Sequence, residues 1–448
     1  MSRNIFTDDA MVGVYGIGIT GISIAQFLRD RAISVLLFDD NPSSSALKTA
    51  KEMGLEIHIP TLDTSFEELI KTVTVFMPTP GLPDEHSVYE RIDIEVPVCS
   101  EFDLVAEFDD RPLTAITGTN GKTTVTMMVK EMLLESGIKS EAVGNTEIPL
   151  VKAIADKSIQ KFVVEASSFR LGHSSKFKPY VSAWLNFSPD HLDVHKDLET
   201  YERAKAAIWS NQSRSSTAIG NCEDVTVMRH IPETGNVKTF GINSGSSKVV
   251  DEFLVVDNEI LLPIQELKCS APHDILNALA AATIAESSGA EIEAIKKVLQ
   301  EFDHLPHRIA YIGRKKGVEW YNDSKSTTPH SVVAAVQGFE NVILLVGGRN
   351  KGLDLKVMGS VKNNLKRVIV MGEASDELRS VFEGSVPTSS TNSMEDAIKE
   401  ADLQSEEGDV VLLSPGCTSF DWYRNYVERG EHFERAVNEL IGVGNGDN

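Results

Sequence analysis

The stretch Thr117-Gly118-Thr119-Asn120-Gly121-Lys122-Thr123-Thr124 decides the fold. An apolar run over 113–116 precedes it. Behind it Val125, Met128, Val129, Met132 and Leu133 recur at helical spacing until Gly137. The pattern predicts a strand, a tight loop and a helix. Such a junction gathers backbone N–H groups and a helix N-terminus around an anion. Lys122 would reach terminal phosphates, and the Thr123 hydroxyl would bind Mg2+. The competing interpretation is an ordinary glycine turn before a surface helix, which Gly-Lys-Thr-Thr in this context disfavours. The usual phosphate loop opens with one more glycine, where this chain has Ile116. It is a shortened variant, and the motif alone does not settle the class.

The chain has 448 residues, enough for roughly two to four domains with separate cores. No run of about 18 apolar residues occurs, so no membrane span is expected. Residues 1–9 are polar and lack the apolar centre of a signal peptide. Cys99, Cys222, Cys269 and Cys417 are far apart and form no metal-type pair. Reduced, mostly buried thiols and a cytoplasmic location follow as expectations. A formal net charge of −23 argues against a nucleic-acid partner, which needs a basic surface. Small anionic ligands need only a local positive site.

Outward from the loop, three α/β blocks succeed one another, without short-period repeats or long low-complexity stretches. Residues 43–45 and 213–216 look like loop tips. The first block opens with Val12-Gly13-Val14-Tyr15-Gly16-Ile17-Gly18-Ile19-Thr20-Gly21. A helix is predicted from about 23 to 31, then a strand over 34–38 ending in Asp39-Asp40. The second block holds the phosphate loop and runs to about His304. The third begins near Leu305, with buried strands predicted at 342–346, 367–370 and 410–413. Alternating strand and helix patterns favour parallel sheets with helices on their faces.

Each block carries candidate chemistry. Gly16-x-Gly18-x-x-Gly21 fits a dinucleotide fingerprint, with Asp39 or Asp40 for ribose hydroxyls. A nicotinamide-dependent oxidoreductase, a diphosphate site for another nucleotide and a structural turn all remain open. Residues 162–165 form a predicted strand ending in Glu165, which would face Mg2+ or cap the next helix. A strand predicted at 183–187 leads into Ser188-Pro189-Asp190-His191-Leu192-Asp193-Val194-His195, a metal or substrate edge or a pair of satisfied structural histidines. Lys205 lies on a predicted helix, where lysine is usually a solvated face residue. His304-Leu305-Pro306-His307-Arg308 opens the third block; residues 321–328 are polar and read slightly better as an exposed loop than as a site. Gly347-Gly348-Arg349-Asn350-Lys351-Gly352 offers glycines for close approach and basic groups for an anion. In the strand-end loop 414–421, Cys417 is a weak candidate nucleophile with no histidine close in sequence, and a packed thiol is the simpler expectation.

Together these motifs resemble the Mur ligase family of peptidoglycan synthesis, in the expected order over nearly the whole chain. The loop from Gly118 to Thr124 looks like the family's short version, and Glu165-Ala166-Ser167-Ser168-Phe169, Asn322-Asp323-Ser324-Lys325, Leu413-Ser414-Pro415 and Ser419-Phe420-Asp421 look like the members that add D-glutamate. The resemblance implies an α/β protein of three domains. A Rossmann-like UDP-substrate domain would occupy 1–100, a central P-loop ATPase-type domain 101–304 and a Rossmann-like amino-acid-binding domain 305–448. It implies a ligase that forms an amide through an acyl phosphate, with UDP-N-acetylmuramoyl-L-alanine, ATP and D-glutamate as substrates. Gly18, Ile19, Thr20, Asp39, Thr79, Gly81, Asn145 and His191 would hold the UDP-linked substrate. Gly118, Thr119, Asn120, Gly121, Lys122, Thr123, Thr124, Asn277, Arg308, Asp323 and Lys325 would hold ATP. Thr327, Lys351, Ser419, Phe420 and Tyr426 would hold D-glutamate. Thr123, Glu165, His191 and Lys205 would bind two Mg2+ ions, Lys205 as a carbamate formed with CO2, which supplies an anionic oxygen where an ammonium cannot. Lys122, Glu165, His191 and Lys205 form the implied catalytic set. A monomer is expected, with hinges near 100 and 304.

Two departures stand out. The family commonly shows His-Asn-x-x-Asn before an Ala-rich helix, whereas this chain has His273-Asp274-Ile275-Leu276-Asn277. An ionised Asp accepts but cannot donate, so a nucleotide contact through Asp274 would change. Tyr426 stands where the family can use Phe, adding a hydroxyl. The rivals are the oxidoreductase, a noncatalytic nucleotide-binding regulator on the same scaffold, and a ligase for another amino acid.

Overall fold

A computed structural model describes residues 4–442 apart from 147, 193, 234 and 304. Expectations placed on Asp193, His304, the first three residues and the last six lie outside the described residues. The chain forms two compact units. One contains residues 1–187, 193–266 and 276–301; the other contains 188–192, 267–275 and 302–448.

The first unit holds two sheets. Strands β1 (Met11–Tyr15), β2 (Ser34–Phe38), β3 (Ile57–His58) and β4 (Val75–Pro78) form an all-parallel sheet in the order β3-β2-β1-β4. The helix Ile19–Arg29 follows β1 and starts about four residues earlier than predicted. Gly21 therefore sits inside its first turn. A Cβ there would lie 2.3 Å from the Gly16 carbonyl oxygen, so the helix approaches the turn as closely as glycine allows.

The second sheet runs β13-β12-β11-β10-β9-β8-β5-β7-β6. Its strands are β5 (Leu113–Thr117), β6 (Ser140–Gly144), β7 (Lys161–Glu165), β8 (Val181–Trp184), β9 (Thr217–Asn221), β10 (Asn236–Phe240), β11 (Ser247–Val250), β12 (Phe253–Val256) and β13 (Glu259–Pro263). Only the β11–β12–β13 edge is antiparallel. The helix Lys122–Glu135 buries Val125, Met128, Val129, Met132 and Leu133, the face predicted from spacing. β8 ends at Trp184, three residues short of the predicted strand. Residues 43–45 are no loop tip: the Ser43 hydroxyl accepts from Ala46 N–H and caps the helix Ser44–Glu52.

The second unit holds β14 (Ala310–Lys315), β15 (Val318–Asn322), β16 (Val342–Gly347), β17 (Leu365–Met371), β18 (Thr388–Thr391) and β19 (Val410–Gly416), in the order β14-β15-β19-β16-β17-β18. All pairs but β14–β15 are parallel. Every residue of β16 and β19 is buried, as befits strands covered on both faces. Each buried Leu, Ile or Val contributes roughly 1.5–3 kcal/mol, which anchors the strand ends where the loops gather. Among the described residues no helix is long and apolar enough to cross a membrane.

Candidate functional site

The phosphate loop is built as the sequence requires. Gly121 caps the helix Lys122–Glu135 with φ +79°, and a Cβ there would meet Asn277 Oδ1 at 2.6 Å. The left-handed φ favours glycine, and any larger residue would also displace the Asn277 amide. Asn186, just past β8, accepts at Oδ1 from the N–H groups of Thr119 (3.0 Å) and Asn120 (2.8 Å) and so sets the loop's shape. Lys122 Nζ curls back to the carbonyls of Gly118 (2.9 Å) and Thr119 (2.8 Å). Lys205 Nζ donates to the same Gly118 oxygen at 2.7 Å. Lys205 is 1% exposed and its ammonium lies 4.6 Å over the Tyr201 ring. The solvated-face interpretation of this lysine is therefore overturned: the helix Leu198–Ala206 aims it inward at the loop. Thr123 and Thr124 occupy the helix's first turn, half-buried.

Glu165 ends β7 beside β5, in register with Ile116. It does not cap the following helix, whose N-cap is Ser167. Its Oε1 accepts from Asn145 Nδ2 at 3.1 Å, while Oε2 is buried with no partner. An unpartnered buried carboxylate oxygen is costly unless a ligand completes it. This orphan oxygen and the hydroxyl-bearing start of the helix after β5 offer oxygen donors of the kind Mg2+ takes, whereas the Lys205 amine offers none unless it is converted to a carbamate. Among the described residues no group of three or more His, Cys, Asp or Glu could hold a metal by itself.

At the first glycine turn, Gly18 and Ile19 are exposed and Thr20 is half-buried. Asp39 Oδ2 accepts from Ile17 N–H at 2.6 Å and Oδ1 from Asn41 N–H at 2.9 Å, so this acid braces the turn. Thr79 follows β4 and donates its N–H to Tyr15 O, and Gly81 is exposed. Arg170, one residue beyond the Glu165–Phe169 stretch, went unnoticed in the sequence; it is 4% exposed and touches Thr20, Asn145 and Ser167. His195 is a satisfied buried histidine, paired with Asp84 at 3.1 Å and Ser168 Oγ at 2.9 Å.

The second unit gathers its own polar loops. Asn322, Asp323, Ser324, Ser326 and Thr328 are buried, so residues 321–328 are not an exposed loop. The polar composition was misleading because Arg429, itself 2% exposed, ties this segment to the two neighbouring strand ends. It donates to Ser324 Oγ (3.0 Å), Ser324 O (2.9 Å) and Cys417 O (3.1 Å), and more weakly to Gly347 O (3.4 Å). Burial pushes Asp323 up to about 7, against the pull of the Ser414 hydroxyl bond and the Arg308 charge. Lys325 Nζ lies 3.8 Å over the Tyr426 ring, a cation–π contact that a substituted ring would retune. Lys351 Nζ binds Asp190 Oδ1 at 3.0 Å. Burial alone would raise Asp190, yet His191 and Lys351 hold it below the usual carboxylate range. His191 sits at φ +56° beside Asp190. Ser419 is buried, Thr327 half-buried and Phe420 60% exposed. Asp274 accepts from Ala271 N–H at 3.2 Å, capping its own helix, which gives this acid a structural duty. Cys417 is the packed thiol expected, pushed up to about 12 by burial.

A parallel sheet, a glycine loop with a lysine at a helix start and an orphan carboxylate beside it define a phosphate-handling α/β protein. The Mur ligase middle domain matches residues 116–285, and the Mur ligase glutamate ligase domain matches 307–417. The chain is 31% identical over 445 residues to a UDP-N-acetylmuramoylalanine–D-glutamate ligase of Caldanaerobacter subterraneus, covering 96% of this chain and 98% of that one. It is 33% identical to the enzyme of that name from Exiguobacterium sibiricum, covering 99% and 100%. Among solved structures, the MurF ligase from Thermotoga maritima in complex with ADP shares the fold with a TM-score of 0.61 at 17% identity, covering 97% of this chain and 98% of that one. The chain belongs to the Mur ligase family, and its three-sheet α/β architecture is that family's.

Proposed function

We propose that this chain is an ATP-dependent ligase that joins D-glutamate to UDP-N-acetylmuramoyl-L-alanine in peptidoglycan precursor synthesis. The full-length similarity to enzymes of that name supports the substrates. The observation that carries the chemistry is the convergence of Lys122 and Lys205 on the Gly118 carbonyl, with Glu165 on the adjacent strand.

In this reading Gly118 to Thr124 and Asn277 hold ATP, with Arg308, Asp323 and Lys325. Gly18, Ile19, Thr20, Asp39, Thr79, Gly81, Asn145 and His191 hold the UDP-linked substrate. Thr327, Lys351, Ser419, Phe420 and Tyr426 hold D-glutamate. The substrate carboxylate attacks the γ-phosphorus; the bond to the β–γ bridging oxygen breaks and ADP leaves. Lys122 neutralises charge on the transferring phosphoryl group. The amine of D-glutamate attacks the resulting acyl phosphate, and loss of phosphate and a proton gives the amide. Two Mg2+ ions, held by Thr123, Glu165, His191 and Lys205 as its carbamate, would supply charge neutralisation. The proposed domains are 1–100, 101–304 and 305–448, in a cytoplasmic monomer.

The test is phosphate release with UDP-N-acetylmuramoyl-L-alanine, ATP, Mg2+ and a panel of amino acids. Release with D-glutamate alone is expected. Release only with a diamino acid, or none with any, overturns the assignment.

A further inference from the structure

Arg170 links two parts of the proposed site that no single strand or helix joins. Its Nε donates to Glu101 Oε1 at 2.5 Å, a pair with side chains only 5% and 0% exposed. One Nη donates to Asn145 Oδ1 at 3.2 Å, and the other to Thr20 Oγ1 at 3.1 Å. A guanidinium only donates, so it fixes which end of the Asn145 amide faces it. The carboxamide NH2 is thereby turned to Glu165 Oε1, and the Asn145 backbone N–H holds the Glu165 carbonyl at 2.9 Å. One oxygen of Glu165 is pinned and the orphan Oε2 is left for a cation. At the other end, a hydroxyl that accepts from a guanidinium keeps its own proton to donate, so Thr20 is set to face an acceptor on a ligand. Glu101 supplies the countercharge that allows the guanidinium to sit here.

We propose that Arg170 is a positioning residue that couples the UDP-substrate turn to the Mg2+ carboxylate: through Thr20 it orders the first, and through Asn145 it aims Glu165 for the second. The inference rests on the substrate and metal assignments above. Because one side chain serves both, occupancy of either site tightens the other, and the coupling is reciprocal.

Removing Arg170 alone would leave Glu101 buried without its partner, so two milder variants are needed. Arg170→Lys keeps the charge but loses the fork. Glu101→Gln with Arg170→Gln removes both charges and keeps two amides. Calorimetry with UDP-N-acetylmuramoyl-L-alanine in the absence of ATP, and electron paramagnetic resonance titration with Mn2+, read the two sites without turnover. For both variants, melting temperature and binding of a nonhydrolysable ATP analogue should match the parent. The UDP-substrate Kd and the Mn2+ Kd should each rise about tenfold, and the parent's mutual tightening should vanish. Thr20→Val should weaken only the first in the parent, Asn145→Ala mainly the second, and neither should add its full effect in the Arg170→Lys background. Unchanged Kd values in folded variants, or full additivity, overturn this inference while leaving the ligase assignment standing. Failure of the parent chain to bind the UDP-linked substrate overturns both.

Discussion

Lys122 and Lys205 present two ammonium groups to one backbone oxygen, that of Gly118. Two cations around a single carbonyl repel each other, and one of them is 1% exposed. In the proposed carbamate, the neutral Lys205 amine would add to CO2 with an N–C bond formed and a proton released, replacing a cation with an anion near the Gly118 carbonyl. Stripping CO2 from the buffer should therefore lower ligase turnover by about tenfold or more if the carbamate is a needed oxygen ligand, and bicarbonate should restore it. Full activity after rigorous removal of CO2 would sink the carbamate. Lys122 has the proposed role of neutralising charge on the transferring phosphoryl group. Lys122→Ala should cost about 10²–10³-fold in kcat, the scale of losing one preorganised electrostatic partner, as measured by ADP release. Lys351 poses a different problem, because Asp190 already holds the ammonium that the proposed D-glutamate site would offer to a substrate carboxylate. Asp190→Asn keeps the shape and removes the rival charge. KM for D-glutamate should then fall roughly threefold to tenfold, equivalent to about 1 kcal/mol released from the internal pair.

At the scale of elements, the junction β5–loop–helix was the most legible part of the chain. Its helix buries the five apolar residues whose spacing announces it, and its glycines fall where backbone geometry admits little else. Gly121→Ala should both strain φ and press a methyl on Asn277. A loss of about 1–3 kcal/mol in stability is expected, with a larger loss in ATP affinity, and calorimetry with and without nucleotide separates the two. Lys205 was less legible because its partner lies 87 positions away in the chain. Local pattern assigns a helical lysine to water, and only the family resemblance marked it. Residues 321–328 misled for a related reason. Their polarity suggests a surface loop, but partners distant in sequence meet them in the interior: Arg429 bonds Ser324, the Gly430 carbonyl accepts from Asn322, and the Ser414 hydroxyl donates to Asp323. Arg170 and Asn186 were missed because the contacts that give them their roles, to Asn145 and Thr20 and to the phosphate loop, lie 25 or more residues away along the chain. Strand identities survived this blindness, since a strand buried on both faces is a continuous apolar run.

At the scale of the whole molecule, two compact units imply that unfolding is not a single transition. Asp323 gives the means to tell the transitions apart, because it belongs to the unit that carries the third sheet. In the folded chain burial raises its carboxyl from 3.8 to about 7. The unfolded chain releases that proton near the ordinary value, so between the two the folded state binds more protons than the unfolded one. Stability conferred by the neutral carboxyl is therefore complete below about pH 4, declines as pH rises toward 7, and levels off above it. The span corresponds to about 4 kcal/mol as an upper bound. Calorimetric scans across that range should show the transition of the unit with the third sheet moving to lower temperature as pH rises, with the other transition unaffected by this group. Asp323→Asn should flatten the contribution, because an amide has no proton to lose there. A variant that keeps the full slope would show that another buried acid sets the pH dependence and that Asp323 is ionised in the folded chain at neutral pH.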